Sequence, residues 1–201
     1  LAFKLAGTKF QMNTHAIGDN ANRFVLEAYG DALFNYRDPR WRIEHAQIVN
    51  EDDIKLFNQK ILPSVQPTHA TSDMYWLYDR IGKKRATFAY AYQELLNRSK
   101  VIAFGTDFPV EDINPIMTYY SAVARKDKNG YPDNGFQMEN SIGRADALSA
   151  MTIFGAYVNF EEEEKGSIEV GKFADFILLD NDIIESLESR IPLTKVVATF
   201  I

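Results

Sequence analysis

Short apolar runs alternate with helical stripes along most of this chain. Residues 9–14 alternate around Phe10 and Met12 and read as a strand ending at His15. Residues 21–36 carry Phe24, Val25, Ala28, Tyr29, Ala32 and Leu33 at helical spacing. Gly18-Asp19-Asn20 punctuates between them, with Asp19 or Asn20 as the helix N-cap. Residues 41–44 form a short strand that delivers His45, and Asn50 caps a helix with apolar Ile54, Leu56 and Phe57. Residues 61–65 are a third strand, which Pro63 marks as irregular, and they lead into Gln66-Pro67-Thr68-His69.

Further on, a long loop holding Tyr75, Trp76 and Tyr78 precedes a helix over 85–98. The aromatic cluster fits either helix packing or a lid over a substrate. The apolar run 101–104 then stops at Gly105-Thr106-Asp107. Pro109 prevents an immediate helix, so Asp107 falls in a loop. Asn114 and Pro115 supply the N-cap and first position of the next helix. Residues 126–141 have no periodicity and read as a loop, and 144–158 as an Ala-rich helix. Residues 161–165 make a charged turn, read as a solvated face. Residues 166–172 look like the tight turn of a hairpin, and 174–179 and 195–201 like strands. Residues 1–7 read as the end of a helix already under way, so the chain is expected to be the C-terminal part of a longer protein.

His15, His45, His69 and Asp107 follow one another at the interval of one strand–helix unit, each just past an apolar run. Four such units in a row imply an α/β fold with a parallel sheet. They make half of an eight-unit TIM-type barrel, in which catalytic groups sit at the C-terminal strand ends. A doubly wound open sheet is the competing architecture. No G-x-G-x-x-G turn follows any strand, which weakens its dinucleotide-binding version.

Composition narrows the chemistry. A hydrophobic content of 46%, with 14 Phe and 10 Tyr, suffices for a sizeable core. The net charge of −6 gives a nucleic-acid role little electrostatic support. The absence of cysteine excludes disulfides and thiolate metal sites. No apolar run reaches the roughly 18 residues of a membrane span. The compartment is left open, with the cytoplasm as the default.

An ionised carboxylate at the mouth of a buried strand is costly unless it is paired. The three histidines are the partners on offer for Asp107, and the four strand ends read as one site. Imidazole and carboxylate suit Zn²⁺, and three protein ligands with one open position make a catalytic site. A metal-bound water can have a pKa near 7, and a nearby carboxylate can orient it and take its proton. Asp107 can then act as both ligand and base, with His69 polarising a substrate carbonyl. Asp19 and Glu44 read as a helix cap and an outer partner of the ligands, and Arg42 as a salt-bridge partner.

Five motifs carry a resemblance. They are Thr14-His15-Ala16-Ile17-Gly18-Asp19, Arg42-Ile43-Glu44-His45-Ala46-Gln47, Gln66-Pro67-Thr68-His69, Gly105-Thr106-Asp107-Phe108-Pro109-Val110-Glu111, and Gly166-Ser167-Ile168-Glu169-Val170-Gly171-Lys172-Phe173-Ala174-Asp175. In this order and spacing the chain resembles the amidohydrolase superfamily, specifically the family 3 branch that includes N-substituted formamide deformylase-like enzymes. The resemblance implies a metal-dependent hydrolase with a (β/α)₈ barrel and a small β-sandwich built from both chain ends. It implies His15 and His45 as metal ligands at the fifth and sixth strands, and Asp107 as eighth-strand ligand and general base. His69 matches a seventh-strand position that contacts substrate. Residues 1–160 are then the C-terminal half of the barrel (strands 5–8), and 161–201 part of the sandwich.

The family's first-strand His-x-His pair and the acidic or carboxylated-lysine ligand of its fourth strand have no counterpart among these residues. The full-length protein is therefore expected to hold one or two divalent ions, Zn²⁺ foremost, and to hydrolyse non-peptide C–N bonds of a small amide, formamide or cyclic amide. These 201 residues alone are expected to have little or no activity, and to be unstable, to aggregate, or to pair with another copy or with the missing N-terminal half. A metal-free descendant that binds a small molecule and regulates is the alternative from another class. An isomerase or lyase using His and Asp without metal is a third.

Overall fold

The computed structural model describes residues 1–201. Its centre is a parallel sheet of β1 (Asn13–Ala16), β2 (Trp41–His45), β3 (Ile61–Val65) and β4 (Ala103–Phe104), in that spatial order. Sequential neighbours in a parallel sheet need a crossover between each pair, and the intervening segments supply helices, among them the short α3 (Glu51–Ile54) between β2 and β3, while α1 (Ala2–Leu5) precedes the sheet. In the ladder, His15 lies opposite Glu44, Ala16 opposite His45, Trp41 opposite Ile61, and Ser64 opposite Ala103. Aromatic and β-branched residues occupy the buried strand positions: Trp41, Ile43, Ile61 and Val65 are all buried. Pro63 stays inside β3 although it has no N–H to give the ladder.

One sheet face packs against α2 (Asp19–Ala32), which buries Val25, Leu26 and Tyr29. Tyr29 meets Trp41 edge to face at 4.9 Å, and its hydroxyl lies 2.6 Å from Thr14 Oγ1. Leu62 and Ala103 form a second small cluster with Val158. Beyond the sheet, β5 (Phe176–Leu179) and β6 (Val196–Phe200) pair antiparallel, with Phe176 stacked on Phe200 at 4.5 Å. No helix is long and apolar enough to cross a membrane.

Several boundaries differ from the sequence expectation. β1 begins at Asn13 rather than residue 9, and Phe10 is exposed. Gly18 is the N-cap of α2, and Asp19 its first helical residue. The expected long loop is helical: α4 (Pro67–Asp73) starts immediately after β3, and α5 (Leu77–Ala86) follows. The helix expected over 85–98 is α6 (Tyr92–Ser99), because Tyr90, at φ 55°, breaks it from α5. Residues 144–158 split into α8 (Arg144–Met151) and α9 (Ile153–Tyr157) at Thr152, whose φ of −127° and ψ of −96° interrupt the helix.

Residues 166–172 are not a hairpin turn, since β5 pairs with the distant β6 instead. Nor is the charged turn purely solvated, because Glu162 accepts from Arg40 at 2.7 Å. In contrast, α7 (Pro115–Ala124) starts as expected: Asn114 Oδ1 accepts from the Ile116 N–H at 3.0 Å with Pro115 at the first position.

Candidate metal centre

The C-terminal ends of the four parallel strands bring the polar residues together. His15 lies within β1, and His45 is the last residue of β2. β3 passes through Gln66 straight into α4, which carries His69 in its first turn. Asp107 follows β4 by three residues. The backbone is left-handed at His45 (φ 77°), Ala46 (φ 44°) and Asp107 (φ 58°). Non-glycine residues there cost about 1–3 kcal/mol each, and such conformations cluster at functional sites.

One ligand atom each from His45, His69 and Asp107 lies within 4.8 Å of the other two. His15 is outside that group of three but packs against it: its ring meets the His45 ring edge to face, 4.5 Å between centroids. The His45 and His69 rings are 5.9 Å apart. Burial, then the neighbouring His15, hold the His45 imidazole below its ordinary pKa, while Asp107 and Gln66 act in the opposite direction without reversing it.

His69 sits between two carboxylates. Its Nε2 is 3.2 Å from Asp107 Oδ2, and its Nδ1 is 3.0 Å from Glu111 Oε1. The Ser72 hydroxyl donates to the same Glu111 oxygen at 2.6 Å. One turn along α4, Asp73 accepts from the Tyr90 hydroxyl and from Gln47 Nε2 at 3.0 Å. Burial pushes the Asp73 carboxyl above its usual range.

These residues fit a divalent cation. A neutral imidazole has one N–H, yet both nitrogens of His69 face carboxylates, so the arrangement calls for an additional positive charge, whether proton or metal ion. His45 Nδ1 is buried without a hydrogen-bond partner. Imidazole nitrogen with carboxylate oxygen is the donor set of catalytic zinc sites.

The other expected residues lie elsewhere. Arg42 and Glu44 pair with each other at 3.3 Å. Asp19 bridges Arg85 at 2.8 Å. Tyr75 stacks on Tyr131 and Tyr78 packs edge-on to Phe136, so these aromatics hold the 131–136 loop. Glu111 and Gln47 stand in the sequence motifs without a role assigned to them, and Ser72, Asp73 and Tyr90 were not singled out. Pro67 as a helix start would have revealed that positions 69, 72 and 73 share one helical face.

A family model described as "Amidohydrolase family" matches residues 1–201. The chain is 36% identical over 205 residues to Protein LONG AFTER FAR-RED 3 of Arabidopsis thaliana, covering 99% of this chain and 35% of that protein. It is 30% identical over 174 residues to the putative amidohydrolase YtcJ of Bacillus subtilis (strain 168), covering 86% of this chain and 32% of that one. Among solved structures it superposes on an uncharacterized metal-dependent hydrolase from Pyrococcus furiosus with a TM-score of 0.74 and 31% identity, over 88% of this chain and 34% of the other. The chain thus spans about a third of the length of these relatives.

Proposed function

Because the chain belongs to the amidohydrolase family, in its family 3 branch, we propose that it carries part of the catalytic centre of a metal-dependent hydrolase acting on non-peptide C–N bonds. The substrate class is a small amide, formamide or cyclic amide. The observation that carries this reading is the convergence of His45, His69 and Asp107 within 4.8 Å, with the His15 ring against His45. In the full-length protein His15, His45 and Asp107 hold the metal ion, most simply Zn²⁺. When bound, that ion supplies a water acidified to near neutrality.

Asp107 takes the proton at its carboxylate. Its side chain is one-third exposed, so substrate and water can reach it. His69, 3.2 Å from Asp107 through Nε2, contacts the substrate and polarises its carbonyl when that nitrogen carries a proton. His45 is half-buried, and burial with the neighbouring His15 lowers its pKa, which favours the lone-pair form that a metal ligand needs.

A second reading assigns His69 rather than His15 as the third ligand. It is favoured by the group of close ligand atoms, which contains His69 and leaves His15 out.

The same reading makes residues 1–160 strands five to eight of a (β/α)₈ barrel, and 161–201 part of a β-sandwich. Support comes from four parallel strands in sequential order and from the apolar residues exposed on β5 and β6. These 201 residues alone then have little turnover, and activity needs the rest of the protein.

Metal analysis and amide hydrolysis by the full-length protein test the proposal. The expected result is about one or more metal ions per chain, lost together with activity in His45→Ala. Retention of metal in His15→Ala with loss in His69→Ala selects the second reading. Full activity after thorough chelation overturns both.

A further inference from the structure

We propose that Glu111 is the positioning residue that holds a proton on Nδ1 of His69, leaving Nε2 as the ring's only working nitrogen. Two carboxylates flank this imidazole. Both lie within hydrogen-bond distance, Glu111 at 3.0 Å and Asp107 at 3.2 Å, but they are held differently. The Ser72 hydroxyl donates to Glu111 Oε1 at 2.6 Å, and Ser72 shares α4 with His69. Ring and hydroxyl, both carried by α4, therefore meet at one oxygen of Glu111.

Asp107 has no side-chain hydrogen bond other than its contact with His69, and it is more exposed, 35% against 19% for Glu111. A fixed, better-buried acceptor competes more strongly for a single N–H than a freer, more hydrated one. The proton therefore resides on Nδ1 and is donated to Glu111.

The consequence is directional. A ring whose Nδ1–H is committed to Glu111 leaves Nε2 as the nitrogen that faces Asp107 and the group of ligand atoms. A carboxylate behind an imidazole also fixes the orientation of the ring. The inference deepens the proposed site and rests on that reading only for what Nε2 does there. The state of the ring can be read in the metal-free protein.

The test is ¹⁵N NMR of the histidine rings in chelator-treated protein at pH 9, above the ordinary imidazole range. Only three histidines are present, so His69→Asn identifies the His69 signals by difference. The wild-type ring is expected to show a protonated Nδ1, and Glu111→Ala is expected to lose it in favour of the Nε2–H tautomer. If Glu111→Ala does not fold, Glu111→Gln keeps the shape but removes the charge, and the Nδ1 proton resonance should move upfield. A wild-type ring protonated on Nε2 alone overturns the proposal, as does a variant whose Nδ1 proton is unchanged. A purely structural Glu111 would leave the tautomer untouched. Failure of the protein to bind metal would overturn the hydrolase reading but leave this measurement intact.

Discussion

The rings of His15 and His45 meet edge to face, 4.5 Å between centroids, on neighbouring parallel strands whose register puts Ala16 rather than His15 opposite His45. The offset by one residue leaves the two imidazoles in contact, and the charge of His15 acts on His45. Substituting His15→Ala in metal-free protein should therefore raise the pKa of His45 toward its ordinary 6.5. A pH titration of the His45 ring by NMR checks this. No change, or a fall, would show that His15 does not contribute to the depression.

Asp73 gives a pH signature of stability. Its folded carboxyl is pushed above the unfolded 3.8 by burial, so the folded state binds more protons just above that pH. This group's contribution to stability is therefore greatest at low pH and declines as pH climbs through the raised value. In urea unfolding between pH 3.5 and 7, the stability of the wild type relative to Asp73→Asn should fall as pH rises. An identical slope in the two proteins would contradict it.

Arg40 ties the start of β2 to the chain after α9. Its guanidinium lies 3.7 Å from the Tyr157 ring centroid and 4.2 Å from that of Phe160. It also donates to the Tyr157 carbonyl at 2.7 Å and to both Asp38 and Glu162. Arg40→Ala should cost about 1–3 kcal/mol, as expected when part-buried acceptors lose their donor. Arg40→Lys should recover little, because an ammonium neither stacks nor forks. Unfolding midpoints of the two variants measure both effects.

Gly166 is the position in the tail where a side chain is least tolerable. Its φ is +93°, and an added Cβ would meet Ala156 Cβ at 2.8 Å and Ile153 Cα at 2.9 Å. Gly166→Ala should destabilise by more than about 1 kcal/mol, since conformation and space both oppose it. Thermal unfolding of the variant is the check, and a wild-type midpoint would contradict the clash.

What could be read in advance follows the range of the interactions. β2 and β3 were legible because aromatic and β-branched residues at 41–43 and 61–65 announce buried strands, and α7 because Asn114 and Pro115 announce a helix start. His15, His45, His69 and Asp107 were legible as polar residues at or just past the ends of apolar runs. The breaks at Tyr90 and Thr152 were not, because left-handed or off-helix backbone at non-glycine residues is imposed by tertiary packing. α4 was hidden because seven residues rich in Thr, Ser and Asp carry no apolar stripe. The Ser72–Glu111 contact was out of reach for another reason: the two residues are 39 positions apart and are brought together only by the crossover from β3 to β4.

Since α4 begins where β3 ends, with Gln66 alone between them, there is no slack at that junction. His69, Ser72 and Asp73 are therefore mechanically one body. A tilt of this short rod swings the imidazole, the hydroxyl and the carboxylate through the same arc. The phenol of Tyr90, seated on Asp73 at the far end, thus serves as an anchor bolt whose loosening should shift the ring that faces Asp107.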